Sequence, residues 1–177
     1  NVGMSQDVDG LLDVADRLRD LEDVVFAIVG EGARKPFLQE DAARRGLTNV
    51  RFFPYQPKAR LVDSFATADV FIVSLKRGLA GFIVPSKLYP ILAAGRPYIA
   101  AVEPLSEVAA VTERHRCGVL VEAGDAAGLA SAIVRLADSS HERESMGARA
   151  RVAAELFGRD RQIAAHAQVI EEVAARP

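Results

Sequence analysis

Ser86 and Lys87 follow a loop that contains Gly78 and Gly81, and they stand at the start of a helical run over residues 86–94, so a hydroxyl and an ammonium meet at a helix start. The first turn of a helix exposes unpaired backbone N–H groups and the positive end of the macrodipole. An anion placed there gains hydrogen bonds and a favourable field. Lys87 adds a full charge, and the combination suits phosphate; Ser86 taken alone would serve equally as a helix cap. A second turn, Gly30-Glu31-Gly32, follows the apolar run that ends at Val29, with Arg34 and Lys35 just beyond it, and Gly3 lies in the first loop. Glycines in such places let the backbone approach a ligand and adopt positive φ, and a tight strand-to-helix turn uses the same residues. The dinucleotide fingerprint needs a third glycine where Lys35 stands, and no acidic residue closing a later strand offers a ribose partner, which counts against a nicotinamide cofactor. Lys76 and Arg77, in the long loop from Ser74 to Gly81, can meet an anion or simply be solvated.

Other chemistry is sparse. His115, His141 and His166 have no spacing that suggests a metal site or a triad, and no nucleophile elbow or Walker loop appears. Glu31, Glu103 and Glu107 read as solvated or capping carboxylates. The sequence therefore suits binding better than acid–base catalysis. A net charge of −2 and 6% aromatic residues supply neither the basic stripe nor the stacking platform of a nucleic-acid binder. Cys117 is alone, so no intrachain disulfide is possible, and a buried inert thiol in a reducing, cytoplasmic setting is expected. No apolar run reaches the roughly 18 to 20 residues of a membrane span.

The elements that must position these residues follow from periodicity. Short β-branched runs at 24–29, 49–53, 70–73, 98–102 and 119–121 alternate with helical patterns at 8–21, 36–45, 59–67, 86–94 and 105–113. That alternation predicts a doubly wound α/β fold with a parallel sheet. Unbroken apolarity at 24–29 predicts a strand buried on both faces, and 70–73 and 98–102 have the same character. Beyond residue 126 the strands stop, and helices at 126–137, 142–156 and 160–174 make a helical tail. The 177 residues, 50% hydrophobic and 26% charged, suit a single domain. They open at Asn1-Val2-Gly3 rather than at Met, in what reads as a turn, and are expected to be a piece of a longer chain.

Several segments in order resemble the carboxy-terminal, donor-binding domain of GT-B, family-4-type retaining glycosyltransferases, particularly bacterial enzymes of exopolysaccharide and surface-polysaccharide synthesis. They are Asn1-Val2-Gly3-Met4, Val29-Gly30-Glu31-Gly32, the run from Val50 to Pro57, Ala68 to Leu75, Pro85-Ser86-Lys87-Leu88-Tyr89, Leu92-Ala93-Ala94-Gly95-Arg96-Pro97, and Cys117 to Asp125. The resemblance implies a Rossmann-like domain over 1–177, with the amino-terminal acceptor domain absent. It also implies metal-independent transfer of a sugar from a nucleotide diphosphate to a glycan or lipid-linked acceptor, with no separate cofactor. The isolated domain would be inactive, and the protein would be cytoplasmic, with peripheral contact at the inner membrane face open to it through the missing domain. The diphosphate would sit on Ser86 and Lys87, with Lys87 the catalytic cation. Gly3, Gly30, Glu31, Gly32, Arg34, Tyr55, Gln56, Ser74, Gly81, Phe82 and Tyr89 would complete the donor site. Two departures matter: Pro90 stands where the family usually has a ribose-gripping Glu, and Met4 and Gln6 lie where it has Arg and Lys. These leave open a non-catalytic module that binds or senses nucleotide sugars, and, more distantly, a nicotinamide-binding domain.

Overall fold

Among the described residues, five runs rich in Val, Ile and aromatic residues form parallel strands, and helices cover both of their faces. The computed structural model describes residues 5–174. β1 (Phe26–Val29) pairs with β2 (Val50–Phe53). β3 (Phe71–Ser74), β4 (Tyr98–Ala101) and β5 (Gly118–Val121) form a second group in the order β3-β4-β5. Every pairing is parallel, so each strand must be reached by a crossover. The crossovers are α2 (Lys35–Arg44), α3 (Leu61–Thr67), α4 (Leu88–Ala93) and α5 (Glu107–His115). α1 (Val8–Arg17) precedes β1, while α6 (Ala126–Asp138), α7 (Ser140–Ala154) and α8 (Arg159–Ala174) follow β5. This is the doubly wound α/β layout with a helical tail that the alternation predicts.

β4 explains how one sheet organises two cores. Its side chains alternate between faces, and all four residues are buried. Ile99 and Ala101 join a cluster with Leu12 and Val14 of α1, Leu38 of α2 and Leu136 of α6. Tyr98, Ala100 and the adjoining Val102 join a cluster with Leu88, Ile91 and Leu92 of α4, Val108 of α5 and Ala150 of α7. Helix starts are fixed by short polar side chains: Asp7 accepts from the Gly10 N–H, Ser106 from Ala109 and Asp125 from Gly128. The expected buried thiol is present, since Cys117 lies fully buried beside the Tyr98 hydroxyl at 3.4 Å. Burial raises its pKa, which keeps it protonated and unreactive.

Two expectations need correction. The helix predicted from residue 86 starts at Leu88, because the Leu88 N–H bonds the Pro85 carbonyl in a turn that holds Ser86 and Lys87 ahead of the helix. The run 24–29 does not form a strand buried on both faces. β1 alternates buried and exposed residues, and Val25 and Val29 are 51% and 42% exposed. At the chain's end, every residue of α8 is exposed.

Candidate functional site

Ligands in open parallel sheets sit beyond the carboxyl ends of the strands, and α4 begins at that edge. Its rear end is held firmly. Gly95, at φ +64°, and Arg96 donate back to the Leu92 and Ile91 carbonyls, the paired bonds of a left-handed helix cap. Arg151 of α7 donates to the Ala93 carbonyl, and Gly147 of α7 lies so close that a Cβ there would come within 2.4 Å of the Gly95 oxygen. The front end has no side-chain cap, with Lys87 as its capping residue. Pro90 falls in the first turn, where its missing N–H interrupts no helical bond. The Tyr89 N–H is therefore the main-chain donor that this first turn presents. Lys87 is exposed by surface area, yet enough protein surrounds its ammonium that burial pulls its pKa below the ordinary lysine value.

The loop from β3 to α4 is tied to the neighbouring loops by side chains. The Arg77 Nε donates to the Ala123 carbonyl at 2.7 Å, and its guanidinium meets the Glu122 carboxylate at 2.9 Å. Glu103, just past β4, accepts from the Gly78 and Ala80 N–H groups at 2.9 and 3.3 Å. Gly78 and Gly81 take φ of +81° and +82°, conformations that side chains strongly disfavour. The loops after β3, β4 and β5 thus form one bonded rim, and Phe82 projects from it at 85% exposure. The sequence reads Glu103 as a solvated or capping carboxylate; in the structure it latches this loop. Its position right after an apolar strand was the only signal in the sequence.

On the other side of the edge, Gly30 adopts φ +124° and donates to the Phe53 carbonyl at 3.2 Å. Gly32 accepts from the Lys35 N–H. Lys35 is 7% exposed, and its ammonium reaches Glu31 at 2.8 Å and the Phe53 carbonyl at 3.0 Å, so it pins the Gly30 turn to the end of β2. Arg34 is ion-paired with Asp9 and lies over the Phe37 ring at 5.6 Å. Two of the cations near this edge, Arg34 and Arg77, are therefore already neutralised by carboxylates of the chain. Tyr55 is 62% exposed, and Gln56 donates to the Pro54 carbonyl.

Ser74, at the end of β3, lines a cavity of about 330 Å³ with Asp7, Asp9 and Gly10 of the α1 start and Asp125 of the α6 start. The Tyr89 ring packs on Phe157, with centroids 5.2 Å apart. Gly3 lies outside the described residues. Among those residues no group of three or more His, Cys, Asp or Glu is arranged to hold a metal ion, and no helix is long and apolar enough to cross a membrane.

Parallel strands wound on both faces, with glycine turns and a helix start at their carboxyl edge, define a domain of the doubly wound α/β class. The chain belongs to the family described as glycosyl transferases group 1, whose pattern matches residues 2–139. It is 40% identical over 113 residues, 64% of its length, to an Escherichia coli K12 protein described as a colanic acid biosynthesis glycosyl transferase, WcaI. It is 34% identical over 155 residues, 86% of its length, to the D-inositol 3-phosphate glycosyltransferase of Streptomyces scabiei. It spans only 28% and 33% of those relatives. The fold is also that of HepE of Anabaena, solved with UDP and glucose, with a TM-score of 0.74 at 17% identity over 97% of this chain and 45% of that one.

Proposed function

We propose that this chain is the donor-binding domain of a retaining glycosyltransferase that transfers sugar from a nucleoside diphosphate to a glycan or lipid-linked acceptor. The acceptor is held by a domain that precedes this one. The diphosphate lies at the α4 start, on Lys87, the Ser86 hydroxyl and the Tyr89 N–H, beside Gly81 and Phe82 of the latched loop. The nucleoside lies between the Gly30–Gly32 turn and Tyr55 and Gln56, with Ser74 on the cavity side, and Gly3 is a further donor contact. Glu31 and Arg34 shape that turn through their partners Lys35 and Asp9. Negative charge grows on the leaving diphosphate in the transition state. A preorganised ammonium and helix start stabilise that charge more than they stabilise the bound donor, which is what accelerates transfer. In this reading no metal or separate cofactor takes part.

The observation that carries the proposal is the convergence of Lys87 and a helix start, clamped from behind, at the carboxyl edge of a sheet whose family is that of glycosyl transferases. A second reading draws on Pro90 and on the neutralised Arg34 and Arg77: a module that keeps the fold and binds nucleotide sugars without transferring them. Calorimetry of the full-length protein with UDP, GDP, ADP and TDP sugars, paired with a turnover assay, separates the two. Transfer or hydrolysis that Lys87→Ala abolishes, with the fold intact, supports the enzyme. Binding without turnover supports the sensor, and no binding to any member of the panel refutes both.

A further inference from the structure

Lys35 is a nearly buried cation whose donors the chain does not exhaust. Its side chain is 9% exposed, and its ammonium has two acceptors among the described residues, the Glu31 carboxylate at 2.8 Å and the Phe53 carbonyl at 3.0 Å. The Phe53 oxygen is shared with the Gly30 N–H. An ammonium carries three N–H donors, so one is left over where solvent has little access. A buried donor without an acceptor is costly, and folds rarely keep one that nothing meets. Arg34 and Arg77 show the contrast: their ion-paired side chains are 35% and 65% exposed, and solvent reaches their remaining donors.

The place of this ammonium selects what meets it. Lys35 opens α2, and its two bonds go one to each lip of the proposed nucleoside slot. Glu31 lies in the Gly30–Gly32 turn, and Phe53 ends β2 just ahead of Pro54 and Tyr55. Both Phe53 and Tyr55 expose aromatic surface, which suits the face of a planar ring. A lysine donates and never accepts, so the edge of that ring must bring an acceptor. Uracil, thymine and guanine carry an exocyclic carbonyl where cytosine and adenine carry an amino group, and an amino group there would set donor against donor. We infer that Lys35 reads the nucleobase, donating its third N–H to that carbonyl, and that the sugar donor is therefore built on a keto base and not on an amino base. The inference rests on the proposed nucleotide-sugar function and narrows its substrate class.

Matched pairs of nucleotides test it on the full-length protein, because UDP and CDP, like IDP and ADP, differ by the exchange of this carbonyl for an amino group. Calorimetry should show the keto member binding at least about tenfold more tightly in whichever pair the slot admits by size. Lys35→Met should abolish that preference, whereas a purely structural role would weaken both members alike and leave their ratio unchanged. Lys35→Gln, whose amide both donates and accepts, should level the pair as well, and it serves where the methionine variant does not fold. Lys35→Arg should keep the preference. Equal binding of the keto and amino members by the natural protein would overturn the inference and leave the proposed function standing. A keto preference that survives Lys35→Met or Lys35→Gln would overturn it too. Binding of no nucleotide and no nucleotide sugar would overturn the proposed function, and the inference with it.

Discussion

Replacing Gly147 with alanine tests the clamp behind α4. In a helix interior this change ordinarily stabilises by about 1 kcal/mol, because glycine loses more backbone freedom on folding. Here the new Cβ would stand 2.4 Å from the Gly95 oxygen, about 1 Å short of ordinary contact at 3.4 Å. That oxygen is main chain, in a residue fixed by the left-handed cap at the end of α4, so it cannot swing aside as a flexible side chain would. Relief requires α4 and α7 to separate, and forcing an extra carbon into a packed interface costs about 1–3 kcal/mol. The upper part of that range applies because the obstacle is backbone. The net effect is a loss of roughly 1–2 kcal/mol, which in a domain of this size lowers the melting temperature by about 2–8 °C. Thermal unfolding followed by circular dichroism measures it directly. Nucleotide-sugar affinity should fall in the same variant, since α4 carries Lys87 on its front end. A melting temperature equal to or above that of the unmodified protein would refute the clamp.

Two further outcomes follow from the rim. Glu103→Ala removes the acceptor of two loop N–H groups at a solvent-accessible position, so stability should drop by only about 1 kcal/mol; trypsin cleavage after Arg77 should nevertheless accelerate severalfold, and an unchanged rate would deny the latch. For Lys87, the lowered pKa sets the sign of the pH dependence. The unfolded state holds this proton more tightly, so the group makes the free protein more stable as pH rises from its folded pKa toward the ordinary 10.5. An anion requires the protonated form, so diphosphate affinity should decline over the same window, before an ordinary lysine would titrate, and calorimetry across that range reads the onset. Lys87→Arg should remove the decline.

The sheet and its helices were legible because their signals are local. β-branched runs and 3.6-residue periodicity located the five strands of the described residues and the helices between them to within a few residues. The start of α4 was misplaced by two residues, since nothing in Pro85-Ser86-Lys87 announces that the Leu88 N–H turns back to Pro85. Lys35, Arg34 and Arg77 were legible as cations but not as engaged ones. Lys35 meets Glu31 only four residues away, but its other partner Phe53, and the partners Asp9 and Glu122 of the two arginines, lie 18, 25 and 45 residues away in the chain, and only the crossovers bring them close. Glu103 escaped for the same reason, with its two N–H donors 25 and 23 residues distant. The exposure of β1 could not be read at all, because burial of a strand depends on its neighbours and not on its own composition.

α8 stands apart energetically. A 16-residue helix with no buried side chain draws almost nothing from tertiary packing, and an isolated helix of that length is marginal in water. Heating should therefore erode ellipticity gradually, well before the cooperative heat-absorption peak. A spectroscopist and a calorimetrist would then report different melting curves for the same molecule, each correct for the portion being observed.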